Sequence, residues 1–187
     1  MHLRFLFITI SFFLSFTVKA NEPEKHPIFA GGYQEAVFSV SDIEAQVKFY
    51  TEVAGWQILS EGSVPQRIIE AYSLPKDTSA REVVMGNPGT KRGFIRLIKF
   101  EDVDQVQIRS SAQSWDTGGI FDVNFRVLSM QEKFKEMQEY GWQSVSDPVE
   151  FTFGPFIVKE WLPRGPDGIV FAMIERVQPP LEGWPNL

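Results

Sequence analysis

Residues 37–56 read VFSVSDIEAQVKFYTEVAGW, and their landmarks return in the second half of the chain. Phe38, Val40, Gly55, Trp56, Gln57, Ser60 and Glu61 recur in the same order as Phe125, Val127, Gly141, Trp142, Gln143, Ser146 and Asp147. A period close to half the chain implies two copies of one supersecondary unit that complete each other's core, not a solenoid of short repeats. Residues 33–40 alternate as a strand, and the spacing then switches to a helical one with Ile43, Val47 and Tyr50 on one face. Ser41 with Glu44 spells a capping box, and Gly55 marks the stop. The second copy repeats the grammar: residues 121–127 as strand, Met130, Phe134 and Met137 as the buried stripe, Ser129 with Glu132 as the box, Gly141 as the stop.

Each helix is followed by a strand opening on tryptophan, residues 56–59 and 142–145, and then by two further strands. In the first copy these are residues 81–85 and 93–100, divided by the turn Gly86-Asn87-Pro88-Gly89; in the second they are 156–162 and 169–174, divided by residues 163–168. Residues 66–73 add a short helix that ends before Leu74-Pro75. The unit is therefore βαβββ, used twice. The expected organisation is residues 1–20 as a signal peptide, 21–32 as a linker, 33–100 as the first module, 101–119 as a connector, 120–177 as the second module, and 178–187 as a Pro-rich tail.

The leader reading rests on polarity order: Arg4, an apolar run over residues 5–18, then Ala20 ahead of Asn21-Glu22-Pro23. That order predicts export to the periplasm or beyond, with no membrane attachment after cleavage. The run is shorter than the ~20 residues of a membrane span, which is the case for a retained anchor to answer. Cleavage removes Arg4 and Lys19 and no acid, so the formal net charge of −6 becomes two units more negative. Nucleic acid is excluded as a partner on that balance. The chain has no cysteine, which removes disulfides, thiolate nucleophiles, zinc–sulfur sites and a lipidated cysteine together. Of two histidines only His26 follows the leader, in the linker, so no core mechanism can use an imidazole.

The phrases VFSVSDIEAQVKFYTEVAGW and LPRGPDGIVFAMIE (residues 162–175), set at the start and end of paired βαβββ modules, resemble the vicinal oxygen chelate superfamily, the glyoxalase, bleomycin-resistance and extradiol dioxygenase group. The resemblance spans residues 33–177. It implies an α+β fold in which each module curls into a cup-shaped mixed sheet. It also implies four metal-ligand positions, on the first and last strand of each module, which fall here on Glu35, Arg96, Asp122 and Ala172. A guanidinium repels a divalent ion and a methyl group cannot bind one, so the resemblance combined with these residues implies a metal-independent protein with no cofactor. A rebuilt metal site using Glu160 or Asn124 is the alternative.

Arg96 between Glu35 and Asp122 is expected to form a charge-compensated cluster in place of the metal. One reading makes it a grip for a ligand oxygen or a proton-transfer site, with Glu35 and Asp122 as candidate bases and Glu35, Arg96, Asp122, Asn124 and Glu160 as ligand-binding residues. The other makes it a salt-bridge network filling a redundant pocket. Trp56 and Trp142 read as core anchors and Pro166-Asp167-Gly168 as a turn. Trp161, Phe151, Phe153 and Phe156 are candidates for an apolar cup wall, and Arg109 and Arg164 for its rim. Three functions stay open: an exported binder of a small organic molecule, an enzyme of lyase, isomerase or dioxygenase type using Glu35 or Asp122, and an envelope interaction protein. A homodimer is compatible with each.

Overall fold

The computed structural model describes residues 33–106 and 119–179. The expected leader and linker, most of the connector with Arg109 and Trp115, and the tail from residue 180 lie outside the described residues. The first module comprises β1 (Glu35–Ser39), α1 (Ile43–Glu52), β2 (Gln57–Ser63), α2 (Gln66–Ala71), β3 (Ala80–Gly86) and β4 (Phe94–Phe100). The second comprises β5 (Val123–Arg126), α3 (Met130–Gln138), β6 (Gln143–Ser144), β7 (Val149–Phe153), β8 (Phe156–Trp161), β9 (Pro163–Arg164), a 3-10 turn (Pro166–Gly168) and β10 (Phe171–Gln178). Each module forms one four-stranded mixed sheet, in the order β1-β4-β3-β2 and β5-β10-β8-β7. First and last strands lie side by side and parallel in both, and the other neighbours are antiparallel.

The copies differ in their outer strand. Residues 142–145 do not take the place that β2 holds in the first module; only Gln143 and Ser144 pair, with Arg164 and Pro163 in a separate two-stranded ribbon. The outer strand of the second sheet is β7 instead. Asp147-Pro148 explains the break, because proline has no N–H for a ladder and β7 begins at the residue after it.

Helix starts also depart from the sequence pattern. The N-cap of α1 is Asp42, not Ser41, and its carboxylate accepts the Ala45 N–H at 2.9 Å. At α3, Ser129 sits in the left-handed region (φ 53°) and its hydroxyl caps nothing; Glu175 of β10 accepts the Met130 N–H at 3.1 Å in its place. Both stops are as expected, with Gly55 at φ 66° and Gly141 at φ 84°, a conformation that costs glycine little.

Period-2 alternation sends Ala36, Val83, Met85, Ile95 and Leu97 to one face of the first sheet, where they cluster with Ile43, Phe49 and Tyr50 of α1. Phe125, Phe171 and Met173 do the same in the second, with Met130, Phe134 and Met137 of α3. The two clusters are one. The Phe171 ring lies 4.1 Å from that of Trp142, 4.3 Å from Phe125, 6.1 Å from Phe49 and 6.2 Å from Tyr50, so α1 of the first module packs on the sheet of the second. Trp56 and Trp142 are buried anchors of that cluster.

The second module also clamps α1 at both ends. Asp167, held at φ 59°, accepts the Ser41 N–H at 3.1 Å and the Gln46 side-chain N–H at 3.4 Å, beside the helix N-terminus. Lys133 of α3 donates to the carbonyl of Val53, the α1 C-cap, at 3.1 Å. An anion at the amino end and a cation at the carboxyl end both complement the helix dipole. Asp167→Gly keeps the left-handed turn while deleting the carboxylate, and is expected to lower unfolding free energy by about 1–2 kcal/mol. Asp147→Gly, in the exposed break before β7, serves as the control in urea unfolding; equal effects of the two changes would show that Asp167 is only a turn residue.

Candidate functional site

The face of the first sheet that points away from α1 carries Glu35, Glu82, Val84, Phe94 and Arg96. Arg96 pairs across β4 with Val37 of β1 and Val84 of β3, which leaves Glu35 and Glu82 as its diagonal neighbours on either side. A long side chain spans that diagonal. Arg96 Nε donates to Glu35 Oε1 at 2.9 Å and Nη2 to Glu35 Oε2 at 3.0 Å, a two-pronged fork, while Nη1 meets Glu82 Oε1 at 2.7 Å. The three side chains keep 26%, 27% and 19% of their surface exposed, in the order Arg96, Glu35, Glu82. The bond to Glu35 holds the guanidinium further above its ordinary range against the opposing effect of burial, with Glu82 adding to it. One cation between two carboxylates leaves the cluster with a formal charge of −1.

Apolar surface adjoins it. The Phe94 ring lies across Gly86, so close that a Cβ built there would meet Phe94 Cδ1 at 2.6 Å and Leu59 Cδ1 at 3.3 Å. Phe94 is directly opposite Glu35 in register, which sets a carboxylate beside an aromatic shelf. Toward the other end of this face α2 covers the sheet, with Ile69 packed among Val64, Ala80 and Ile98.

Asp122 is not a partner of Arg96, contrary to expectation. It accepts the Asn124 side-chain N–H at 3.0 Å, at the start of β5 in the other sheet. Glu82 takes the place assigned to it because neighbouring strands of one sheet bring side chains closer than strands of separate sheets. The alternation of Arg81 to Met85 carries the signal that could have found it, since Val83 and Met85 are core residues and Glu82 must face the other way. In the second sheet Asn124 lies opposite Ala172, and Glu160 opposite Ile174 and Val149. Ala172 is 1% exposed and offers no donor atom. Phe156 shares this face and carries the Arg176 guanidinium 5.1 Å from its ring centre. Trp161 turns to the opposite side, against Phe134 at 4.2 Å, with its indole N–H on Ser144 Oγ at 2.8 Å and the Ser146 carbonyl at 2.7 Å. Arg164 sits in the small ribbon opposite Gln143.

A divalent cation does not fit the four positions the resemblance singles out. Both oxygens of Glu35 accept guanidinium hydrogens, Arg96 brings positive charge to the same point, and Ala172 supplies nothing. Among the described residues no group of three or more His, Cys, Asp or Glu side chains is placed to share a metal.

Removing the cation tests the cluster. Arg96→Met keeps chain length and leaves Glu35 and Glu82 as unneutralised neighbours, so unfolding free energy at pH 7 is expected to fall by about 1–3 kcal/mol, less than for a fully buried pair. Like charges raise carboxyl pKa values in the folded state, so that deficit narrows as pH drops through the carboxylate range. Glu82→Gln should also destabilise; chemical unfolding at pH 7 and pH 4 reads both variants.

No protein-family model matches this chain, and no curated protein matches it by sequence. Solved structures do. A glyoxalase family protein from Bacillus cereus superposes over 83% of this chain and 99% of its own, with a TM-score of 0.61 at 16% identity. A glyoxalase family protein from Enterococcus faecalis covers 79% and 98%, with a TM-score of 0.52 at 15% identity. Glyoxalase I from Zea mays matches over 76% of this chain at a TM-score of 0.52 and 19% identity, and there the chain spans 43% of the maize protein. Two mixed sheets, each built on a βαβββ module, make this the fold of glyoxalase-type proteins.

Proposed function

We propose that the protein is an exported binder of a small organic molecule, which it holds on the open faces of its modules without a divalent metal. The observation that carries this reading is the two-pronged Glu35–Arg96 pair, at positions where the family resemblance leads one to expect metal ligands. Both oxygens of Glu35 already accept hydrogens from the guanidinium, which favours recognition over proton abstraction. Three of the guanidinium's donor directions are spent on Glu35 and Glu82, and the net charge of the cluster is negative. The ligand group that suits it is a hydrogen-bond donor or an ammonium, with an apolar portion lying on Phe94 and Leu59; a carboxylate or phosphate is disfavoured. Asp122, Asn124 and Glu160 supply acceptors of the same kind on the second face.

Elemental analysis and thermal shift test this together. Purified protein is expected to hold no stoichiometric zinc, nickel, iron or manganese, and its melting temperature to rise with aryl or alkyl amines but not with matched carboxylates. Binding at a hundred times Kd contributes about 2.7 kcal/mol, which a melting curve resolves. One metal per chain, or stabilisation by carboxylates alone, would overturn the reading.

Export supports a binder that meets its ligand outside the cytoplasm. Intact-mass analysis of the periplasmic fraction is expected to find a chain beginning at Asn21. A species that retains Arg4 and partitions with membranes would replace release by anchoring.

A further inference from the structure

On the side of the first sheet opposite to Arg96, a cleft of about 360 Å³ opens where α1 meets the end of α3 and the turn Pro166–Gly168 of the second module. That volume is at the lower end of small-molecule pockets. Two of the side chains lining it are almost wholly buried, and each holds a polar atom that no hydrogen bond from the described residues satisfies. Gln46 is 3% exposed and its Oε1 accepts nothing; Trp142 is 2% exposed and its Nε1–H donates to nothing. Buried polar atoms are paired in the great majority of cases, so two orphans at one cleft need an explanation.

The packing fixes both groups. Gln46 Nε2 donates to Asp167 Oδ2 at 3.4 Å, and since only the amide nitrogen can serve a carboxylate, Oε1 is the branch left over. The indole of Trp142 lies on Gly165, where a Cβ would meet Cε2 at 2.6 Å and Cδ2 at 2.8 Å, and Cε2 is the atom bonded to Nε1. Any larger residue at 165 would push the indole off this seat. An acceptor and a donor at the same cleft match groups that both donate and accept, which are hydroxyls.

Charge narrows the class further. The cleft is lined by the carboxylates of Asp42, Glu139 and Asp167 and by one ammonium, that of Lys48, for a formal charge of −2. Asp42 and Asp167 each spend one oxygen at the start of α1, on the Ala45 N–H at 2.9 Å and the Ser41 N–H at 3.1 Å. Lys48 is drawn away toward Glu52, at 4.0 Å. The excess of negative charge favours a cation and disfavours a carboxylate or phosphate.

We propose that this cleft binds a small hydroxylated amine of amino-sugar size. Its hydroxyls donate to Gln46 Oε1 and accept from Trp142 Nε1, and its ammonium faces Asp42 and Asp167. Gln46 and Asp42 belong to the first module and Trp142 and Asp167 to the second, so the same molecule ties the two together. The site is separate from the open faces and does not rest on the ligand proposed for them.

Calorimetric titration of the full-length chain at pH 7 with glucosamine tests this, beside cyclohexylamine, which has the ammonium without hydroxyls, and glucose, which has hydroxyls without the ammonium. Glucosamine is expected to bind at least about tenfold more tightly than either. Gln46→Met keeps the side-chain length and removes the orphaned oxygen. It is expected to weaken glucosamine by about tenfold or more while the melting temperature of the free protein holds or rises, because an unsatisfied buried acceptor is gone. Saturating benzylamine, an aryl amine suited to the first open face, should leave the glucosamine titration unchanged, so that failure at one site is read apart from failure at the other. No binding of glucosamine to the wild-type chain, equal affinity for cyclohexylamine, or equal affinity of wild type and Gln46→Met would overturn the proposal.

Discussion

The larger of the two buried clusters belongs to neither half of this molecule alone. The Phe171 ring from the last strand of the second module stands among Phe49, Tyr50, Phe125 and Trp142, two of them from each half. Burying a large aromatic removes 150–250 Å² from water, the dominant favourable term available to a chain with no cysteine and no metal cluster among its described residues. Everything else takes its position from that cluster. The sheets turn their apolar faces toward it, and so the opposite faces, with their charged and polar side chains, are left open. The clamp on α1 follows as well, because a helix packed on the other module's sheet has its termini within reach of that module's Asp167 and Lys133.

The open face of the first module carries an ion-pair cluster where the family resemblance leads one to expect metal ligands. Arginine on the last strand cannot bind a cation, but its fork fits the carboxylate on the neighbouring parallel strand, and its remaining arm reaches the antiparallel strand on the other side. Desolvating three charges is costly, and the arrangement holds because the side chains stay 19–27% exposed and each of the three guanidinium nitrogens meets a carboxylate oxygen. The aromatic shelf beside Glu35 depends on a glycine for a steric reason: any side chain at position 86 would occupy the space of the Phe94 ring.

Duplication supplied two like units, and they have since been put to different ends. The first module keeps a long outer strand with a bulge, and α2 roofs part of its open face. The second has its outer strand broken by Asp147-Pro148 and restarted as a short, straight, apolar edge. Its helix start relies on a carboxylate from β10, whereas α1 is capped by its own Asp42. Such differences lie where each unit meets solvent, since the shared aromatic core constrains the rest.

Period was legible in the chain, and long-range pairing was not. Alternation and helical spacing mark the first module's strands, the helices and the buried stripe Met130, Phe134 and Met137, because those periods follow from backbone geometry alone, but β7 went unread and the strand expected at 142–145 shrank to Gln143–Ser144. Gly55 and Gly141 mark the helix stops because only a residue without a Cβ adopts their φ freely. It was the family resemblance, not those local rules, that brought Glu35 and Arg96 together, and neither reading reached Glu82. Local rules could not choose between Asp122 and Glu82 as the second partner, nor between Ser41 and Asp42 as the cap, since those choices depend on distances across the sheet and across the module boundary. Asp167 reads as a turn residue in sequence, and only the packing of α1 on the other module turns its carboxylate into a clamp at a helix terminus 126 residues away. Covalent geometry acts on neighbours in the chain and can be read from it; hydrogen bonds and ion pairs act on neighbours in space, which exist only once the core has closed.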